Sequence, residues 1–390
     1  MTTTVSPTDA ARSLRELTAT EAAVSERDRT LTPRTVEALW DSGLMQLFNP
    51  AEAGGAEPSF AEMIETWIEL AWQDGSLGWV GIANFPSAAA CAAYLPPSGF
   101  DEVFTAHGNR VTVGGQFFPN GMGAVVDGGY RISGAWNFGS GTGHAQYVAA
   151  GFMPTVDGEL VVGDNGIPPL LVAVLPREEI VFTDGWYVQG LKGTGSYDYN
   201  ITDTFVPESR TFELFTHTPE RGHSAAFRMG LMPITAAGHG SWALGVAKSM
   251  LDDVAELAMT KVRMGDDGAL ANRTTFQKGL SHHTAMWKAA HLFVLDTFAG
   301  AERHVAEGGE LTPSMRADLR MAATYATEAS REVVQWAHLA AGTSAIREGT
   351  RLERAFRDLY TGTQHVFIGE KTYTDAARIH LGLVEDQFGL

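Results

Sequence analysis

The 390-residue chain predicts an α+β fold, mostly α, built as helices at 1–108, a small β-rich part at 109–222 and helices again at 223–390. Three observations predict it. The first hundred residues carry apolar positions at helical spacing. Around Asn109 the texture changes to short Val, Thr, Tyr and Phe runs punctuated by Gly-Gly, Asp-Gly and Asn-Gly, as in RVTVGGQFF and AVVDGGYRISG, the signature of antiparallel strands and tight turns. From about Ala225 long helical patterns return. This order excludes the strand–helix alternation of a Rossmann sheet.

Taken in order, helices are expected over 8–29, over 33–45 behind Thr32-Pro33, over 58–73 opened by Pro58-Ser59 and over 77–94, because Ser, Thr and Pro stand where helix starts place them. Strands follow until about Val206-Pro207. The last part predicts four long helices, 226–263, 270–307, 312–341 and 350–380, broken at Gly265, Gly308-Gly309 and Gly342. Four in succession predict an antiparallel bundle.

Composition removes several classes of function. A formal net charge of -18, with no Lys or Arg between Arg34 and Arg110 but ten Asp and Glu there, repels nucleic acid and any polyanion approaching that region. The single cysteine, Cys91, forms no internal disulfide and points to a reducing, cytoplasmic location. The N-terminal stretch has no apolar h-region behind a basic start, which argues against secretion. Gly75–Phe100 runs 26 residues without a charge. It contains Pro86 and is flanked by Asp74, Asp101 and Glu102, so a buried helix is expected and a membrane span is not.

Local motifs exclude more. GSGTG at 139–143 continues into a strand-like run rather than a helix, and GLKGTGS at 190–196 lacks P-loop spacing; both are expected as tight turns that bring backbone close to a ligand or another strand. No serine-hydrolase elbow, zincin helix or EF-hand loop occurs. His282 and His283 are neighbours on a helix and point about 100° apart, so no metal site is expected.

Three passages carry a family resemblance: DGSLGWV at 74–80, GGYRISGAWNFGSGTGHAQY at 128–147 and LERAFRDLYTGTQH at 352–365. The chain resembles the acyl-CoA dehydrogenase fold superfamily and, within it, the two-component flavin-dependent monooxygenases. The resemblance extends from GLMQLFNPAEAGGAE at 43–57 to HLGL at 380–383. It implies an N-terminal helical domain, a central β-barrel and a C-terminal four-helix bundle, assembled as a homotetramer. The alternative is an FAD-dependent acyl-CoA dehydrogenase. Its proton-abstracting Glu commonly follows an Arg-Asp pair, whereas after Arg357-Asp358 this chain offers His365 and Val366, with Glu370 four residues beyond Val366, and a valine abstracts no proton.

The monooxygenase resemblance implies that reduced FMN or FAD, delivered by a separate NAD(P)H:flavin reductase, reacts with O2 through a C4a-hydroperoxide to oxygenate an aromatic or electron-rich small molecule. Ser140 is then expected beside the reacting edge of the flavin, and His365 at the hydroperoxide or the substrate proton. Flavin holding falls to Gln116, Phe118, Trp136, Phe138, Ser140 and Gly141, with Arg273 and the Gly342-Thr343 turn of a neighbouring subunit at the phosphate. Trp79, Asn84 and Phe117 are expected to line the substrate pocket. In one respect the chain departs from the family: some members carry a further His where Asn84, Phe85, Pro86 and Ser87 stand here.

Overall fold

A computed structural model describes residues 6–163, 166–183, 185–387 and 389. The first helices are α1 (Pro7–Arg12), α2 (Arg15–Asp28) and α3 (Pro33–Asp41). The single helix expected over 8–29 is thus two, divided at Ser13-Leu14. Helix α4 (Phe60–Gln73) opens on a capping box in which Ser59 and Glu62 satisfy each other's backbone N–H groups. Helix α5 (Gly75–Tyr94) follows at once, because Asp74 Oδ1 accepts from the backbone N–H of Ser76 and Leu77. The uncharged run is buried in the protein core, with Pro86 inside the helix. No described helix is long and apolar enough to cross a membrane.

After α6 (Pro97–Val103) the described residues form eight strands: β1 (Val113–Val126), β2 (Gly129–Gly139), β3 (Tyr147–Val156), β4 (Glu159–Leu160), β5 (Leu171–Pro176), β6 (Val181–Thr183), β7 (Tyr197–Pro207) and β8 (Thr211–Glu213). They form one sheet in the order β6-β7-β2-β1-β3-β5-β8, with β4 on β3. All pairs are antiparallel except β1 with β3. The closed barrel is not found. Its end strands, β6 and β8, are three residues each and no described pair joins them. The sheet has its own core, in which Trp136 stacks on Tyr199 at 5.4 Å among Ile132, Phe152 and Leu175.

The C-terminal helices are α7 (Ala225–Met229), α8 (Leu231–Thr260), α9 (Thr274–Ala306), α10 (Pro313–Ala341), α11 (Arg351–Gly362) and α12 (Lys371–His380). Three long helices, α8, α9 and α10, pack on one another. The fourth expected long helix is broken between Thr363 and Glu370, where TQHVFIGE leaves helical geometry. Helix α11 therefore packs on α8, and α12 separately on α10. One contiguous apolar core joins α4, α5 and α8 to the inner face of the sheet.

Candidate active site

Five chain segments converge where the helices meet the end of β2. The first is α5, which supplies Trp79. Its Nε1–H donates to Ser140 Oγ at 3.1 Å. Ser140 stands just past β2 because Phe138 takes a left-handed conformation, φ 60°, held by its backbone N–H donating to Asp198 Oδ1 at 3.0 Å. A bulky residue in that region is strained by roughly 1–2 kcal/mol. Strain at such a turn is common where a side chain must be aimed.

The loop before β7 supplies the next two groups. Thr194 Oγ1 lies 2.6 Å from Ser196 Oγ, which donates to Ser140 Oγ at 3.1 Å. A hydroxyl has two acceptor lone pairs and one proton. Thr194 Oγ1 also donates to Leu191 O at 2.9 Å, so Thr194, Ser196 and Ser140 form one chain of hydroxyls that ends beneath Trp79. The Arg357-Asp358 pair staples this loop in place: Asp358 Oδ1 accepts from Leu191 N at 2.6 Å, and Arg357 donates to Gln189 O at 2.8 Å.

Helix α8 and the turn after α11 complete the cluster. His365 lies in that turn, its Nδ1 accepting from Phe367 N at 3.3 Å. Its ring is 4.3 Å from that of His239 and 5.9 Å from that of Trp79. Trp242 meets Trp79 edge to face at 4.9 Å and donates to Gly75 O at 2.8 Å. His365 is exposed by surface area, yet desolvation against the rings it packs on, with His239 and Arg320 nearby, lowers its pKa below the usual imidazole range. His239 is buried; desolvation lowers its pKa to about 4.

Two glycines are required by close approach. A Cβ on Gly362 would sit 2.2 Å from the Trp242 ring and 3.0 Å from that of Trp79. A Cβ on Gly141, φ 73°, would sit 1.9 Å from Asn84 Oδ1. Asn84 is itself fully buried and donates to Val113 O at 2.8 Å. It therefore braces the turn instead of lining a pocket.

The remaining expected residues divide. Phe118 and Phe138 each leave 62% of their surface exposed, on β1 and at the end of β2, and Gln116 is half-buried nearby on β1 with its Oε1 accepting from Asn120 at 2.8 Å. Trp136 is not with them. A register shift between Trp136 and Gly139 breaks the alternation that would put Trp136 and Phe138 on one face; Trp136 is wholly buried and donates to Gly151 O at 3.0 Å. Phe117 points away from its neighbours, against Phe212. Arg273 pairs with Asp266 before α9, and Gly342, φ 56°, caps α10 with Thr343 following; no described hydrogen bond ties any of the three to Ser140.

Sequence reasoning missed His239, Trp242 and Arg320. The signal lay in GHGSW at 238–242, a histidine among small residues on an otherwise apolar helix.

The sequence profile of the acyl-CoA dehydrogenase C-terminal domain matches residues 237–370. An indole-3-acetate monooxygenase of Pseudomonas putida is 30% identical over 369 residues, covering 92% of this chain and 89% of the relative. The chain belongs to the two-component flavin-dependent monooxygenases of the acyl-CoA dehydrogenase superfamily. A flavin-dependent monooxygenase oxygenase subunit, HsaA of Mycobacterium tuberculosis, is 28% identical over 95% of this chain and 92% of its own. The crystal structure of a 3-HSA hydroxylase from Rhodococcus sp. RHA1 superposes with a TM-score of 0.91 at 24% identity, covering 99% of both chains. This monooxygenase is therefore an oxygenase component that uses reduced flavin and O2. The dehydrogenase alternative is not favoured: Val366 is 90% exposed in the turn, and Glu370 stands just before α12 with no side-chain cap bond.

Proposed function

We propose that the monooxygenase holds its reduced flavin along the β1–β2 edge, between Gln116, Phe118, Phe138, Ser140 and Gly141, and oxygenates a small electron-rich aromatic compound delivered beside His365. The observation that carries this reading is Ser140, whose Oγ is held by Trp79 and by the Thr194–Ser196 hydroxyls where five chain segments meet. The fit is supported by Phe118 and Phe138, two large apolar side chains each left 62% exposed on β1 and at the end of β2, where a planar apolar ring would cover them. Bound reduced flavin supplies the two electrons with which O2 places one oxygen atom on the substrate and releases the other as water.

The chain's own residues have separate tasks. Ser140 Oγ hydrogen-bonds at the reacting edge of the flavin, and Trp79 and the Thr194–Ser196 chain behind it fix its orientation. Trp79 and Trp242 wall the site with apolar surface and exclude water. His365, held neutral, removes the proton that an aromatic ring or its hydroxyl loses on oxygenation. Arg273, with Gly342 and Thr343, serves the flavin phosphate of a neighbouring copy in a homotetramer, which accounts for its distance from Ser140 in bonding terms. Electrons come from a separate flavin reductase, in the cytoplasm.

Ser140→Ala tests the reading. With reduced FMN, O2 and a phenol or indole panel, the variant should release hydrogen peroxide in place of at least nine-tenths of the product, with roughly unchanged flavin affinity, since one preorganised donor is worth tenfold or more. Unchanged product yield would remove Ser140 from the chemistry.

A further inference from the structure

Behind His365 lies a buried imidazole with an unexplained nitrogen. His239 Nδ1 is 2.8 Å from Thr235 O; a carbonyl only accepts, so Nδ1 carries the proton and Nε2 is bare. That Nε2 is buried and has no partner. A buried acceptor without a donor is an uncompensated cost that calls for a reason.

His365 has the opposite tautomer. Its Nδ1 accepts from the Phe367 backbone N–H, which places its proton on Nε2. The two rings, 4.3 Å apart and inclined by 39°, thus pair an imidazole that needs an acceptor with one that needs a donor. We propose that His239 is a positioning residue for His365, its bare Nε2 accepting the Nε2–H of His365 when that ring turns to take the substrate proton at Nδ1. The inference rests on the oxygenase reading for the source of that proton.

The substrate's X–H bond breaks, its electron pair stays with the substrate, and the proton bonds to Nδ1 of His365. The 3.3 Å contact from Phe367 is long for a hydrogen bond and yields readily. The imidazolium so formed donates to His239 Nε2, and the proton later leaves to water through the exposed edge of His365. Asn84, buried and engaged with Val113 O, offers no second base.

The charged and titratable groups around the pair are few. From α10, Arg320 faces both rings and disfavours a second positive charge. From α12, Asp375 faces Arg320 and partly offsets it. Helix α5 presents Trp79 only. A neutral acceptor is the partner such a site tolerates, since no carboxylate lies against either ring among the described groups.

The test compares wild type with His239→Phe, which keeps the ring volume and removes the acceptor, and His239→Gln, which restores one. Histidine-15N-labelled protein reports the tautomers, and carbethoxylation of His365 across pH, read by peptide mass spectrometry, reports its protonation midpoint. The expected result is a bare Nδ1 on His365 and a bare Nε2 on His239. In His239→Phe the His365 midpoint falls by about one pH unit, and kcat for resorcinol with reduced FMN falls about tenfold at a KM within about twofold. His239→Gln recovers most of both.

Equal midpoints in all three proteins would overturn the proposal. So would an Nδ1-protonated His365 in wild type, a result that stands even if His239→Phe does not fold. A midpoint that moves as described in a protein that oxygenates nothing would leave the pair intact and remove the oxygenase reading instead.

Discussion

Replacing Gly362 with Ala tests how tightly the site is built. Gly362 is the last residue of α11, and alanine there ordinarily stabilises a helix by about 0.5–1 kcal/mol. The surroundings reverse the sign. The new methyl would lie 2.2 Å and 2.3 Å from two ring atoms of Trp242 and 3.0 Å from Trp79. Trp242 is wholly buried and tied to Gly75 O, and Trp79 is tied to Ser140 Oγ. Neither indole retreats without giving up a hydrogen bond, each worth about 1 kcal/mol net. Overpacking of this kind costs roughly 1–3 kcal/mol, so the balance is a loss of about 1–2 kcal/mol. The strain falls on the two groups that frame His365, three residues along. Urea unfolding should show the loss as a lower midpoint at unchanged slope, and product formation should fall more than flavin binding. A variant as stable and as well coupled as wild type would refute the close approach on which the site's description depends.

Three other outcomes follow from the same geometry. His365→Ala should lose product while binding reduced flavin as before, checked by paired equilibrium dialysis and product analysis; a coupled, active variant would take His365 out of the mechanism. Asp358 is pushed up to about 7 by burial and by the Asp74 carboxylate. Its folded form therefore keeps a proton that the unfolded chain has lost from about pH 4 upward, and stability should decline as pH rises from there toward 7; Asp358→Asn should flatten that decline, and parallel urea midpoints at pH 5 and pH 8 for both proteins would contradict the assignment. Arg273→Ala should weaken flavin binding about tenfold through loss of a charge-assisted bond to phosphate, and an unchanged dissociation constant would return Arg273 to its ion pair with Asp266 alone.

The order of helices, strands and helices was legible because hydrophobic period and turn composition change sharply near Asn109 and Ala225. Helix starts at Pro33 and Ser59 were legible for the same reason that they form, since Thr32 and Ser59 accept from the first-turn N–H groups. Trp136 was misread because strand alternation holds only in an unbroken ladder. The turn at Phe138 and the register shift beside it move one aromatic inward and leave the next exposed. The break at 363–370 was hidden by a helical pattern on either side of it, although Gly362 and Gly369 bracket the segment. His239 stands out in GHGSW, but its partner was hidden for another reason. Nothing in a helix sequence tells which face will meet a turn 126 residues later, and the orphaned Nε2 exists only once α8 and the turn after α11 are packed together.

This chain transfers an oxygen atom from O2 to an electron-rich ring with reduced flavin as the electron source. Anaerobic protein mixed with reduced FMN and resorcinol, then exposed to 18O2, tests it directly. A product heavier by one 18O atom, with little peroxide, is the predicted result. Complete conversion of the O2 consumed into hydrogen peroxide, with unlabelled aromatic compound recovered across a panel of phenols and indoles, would contradict it.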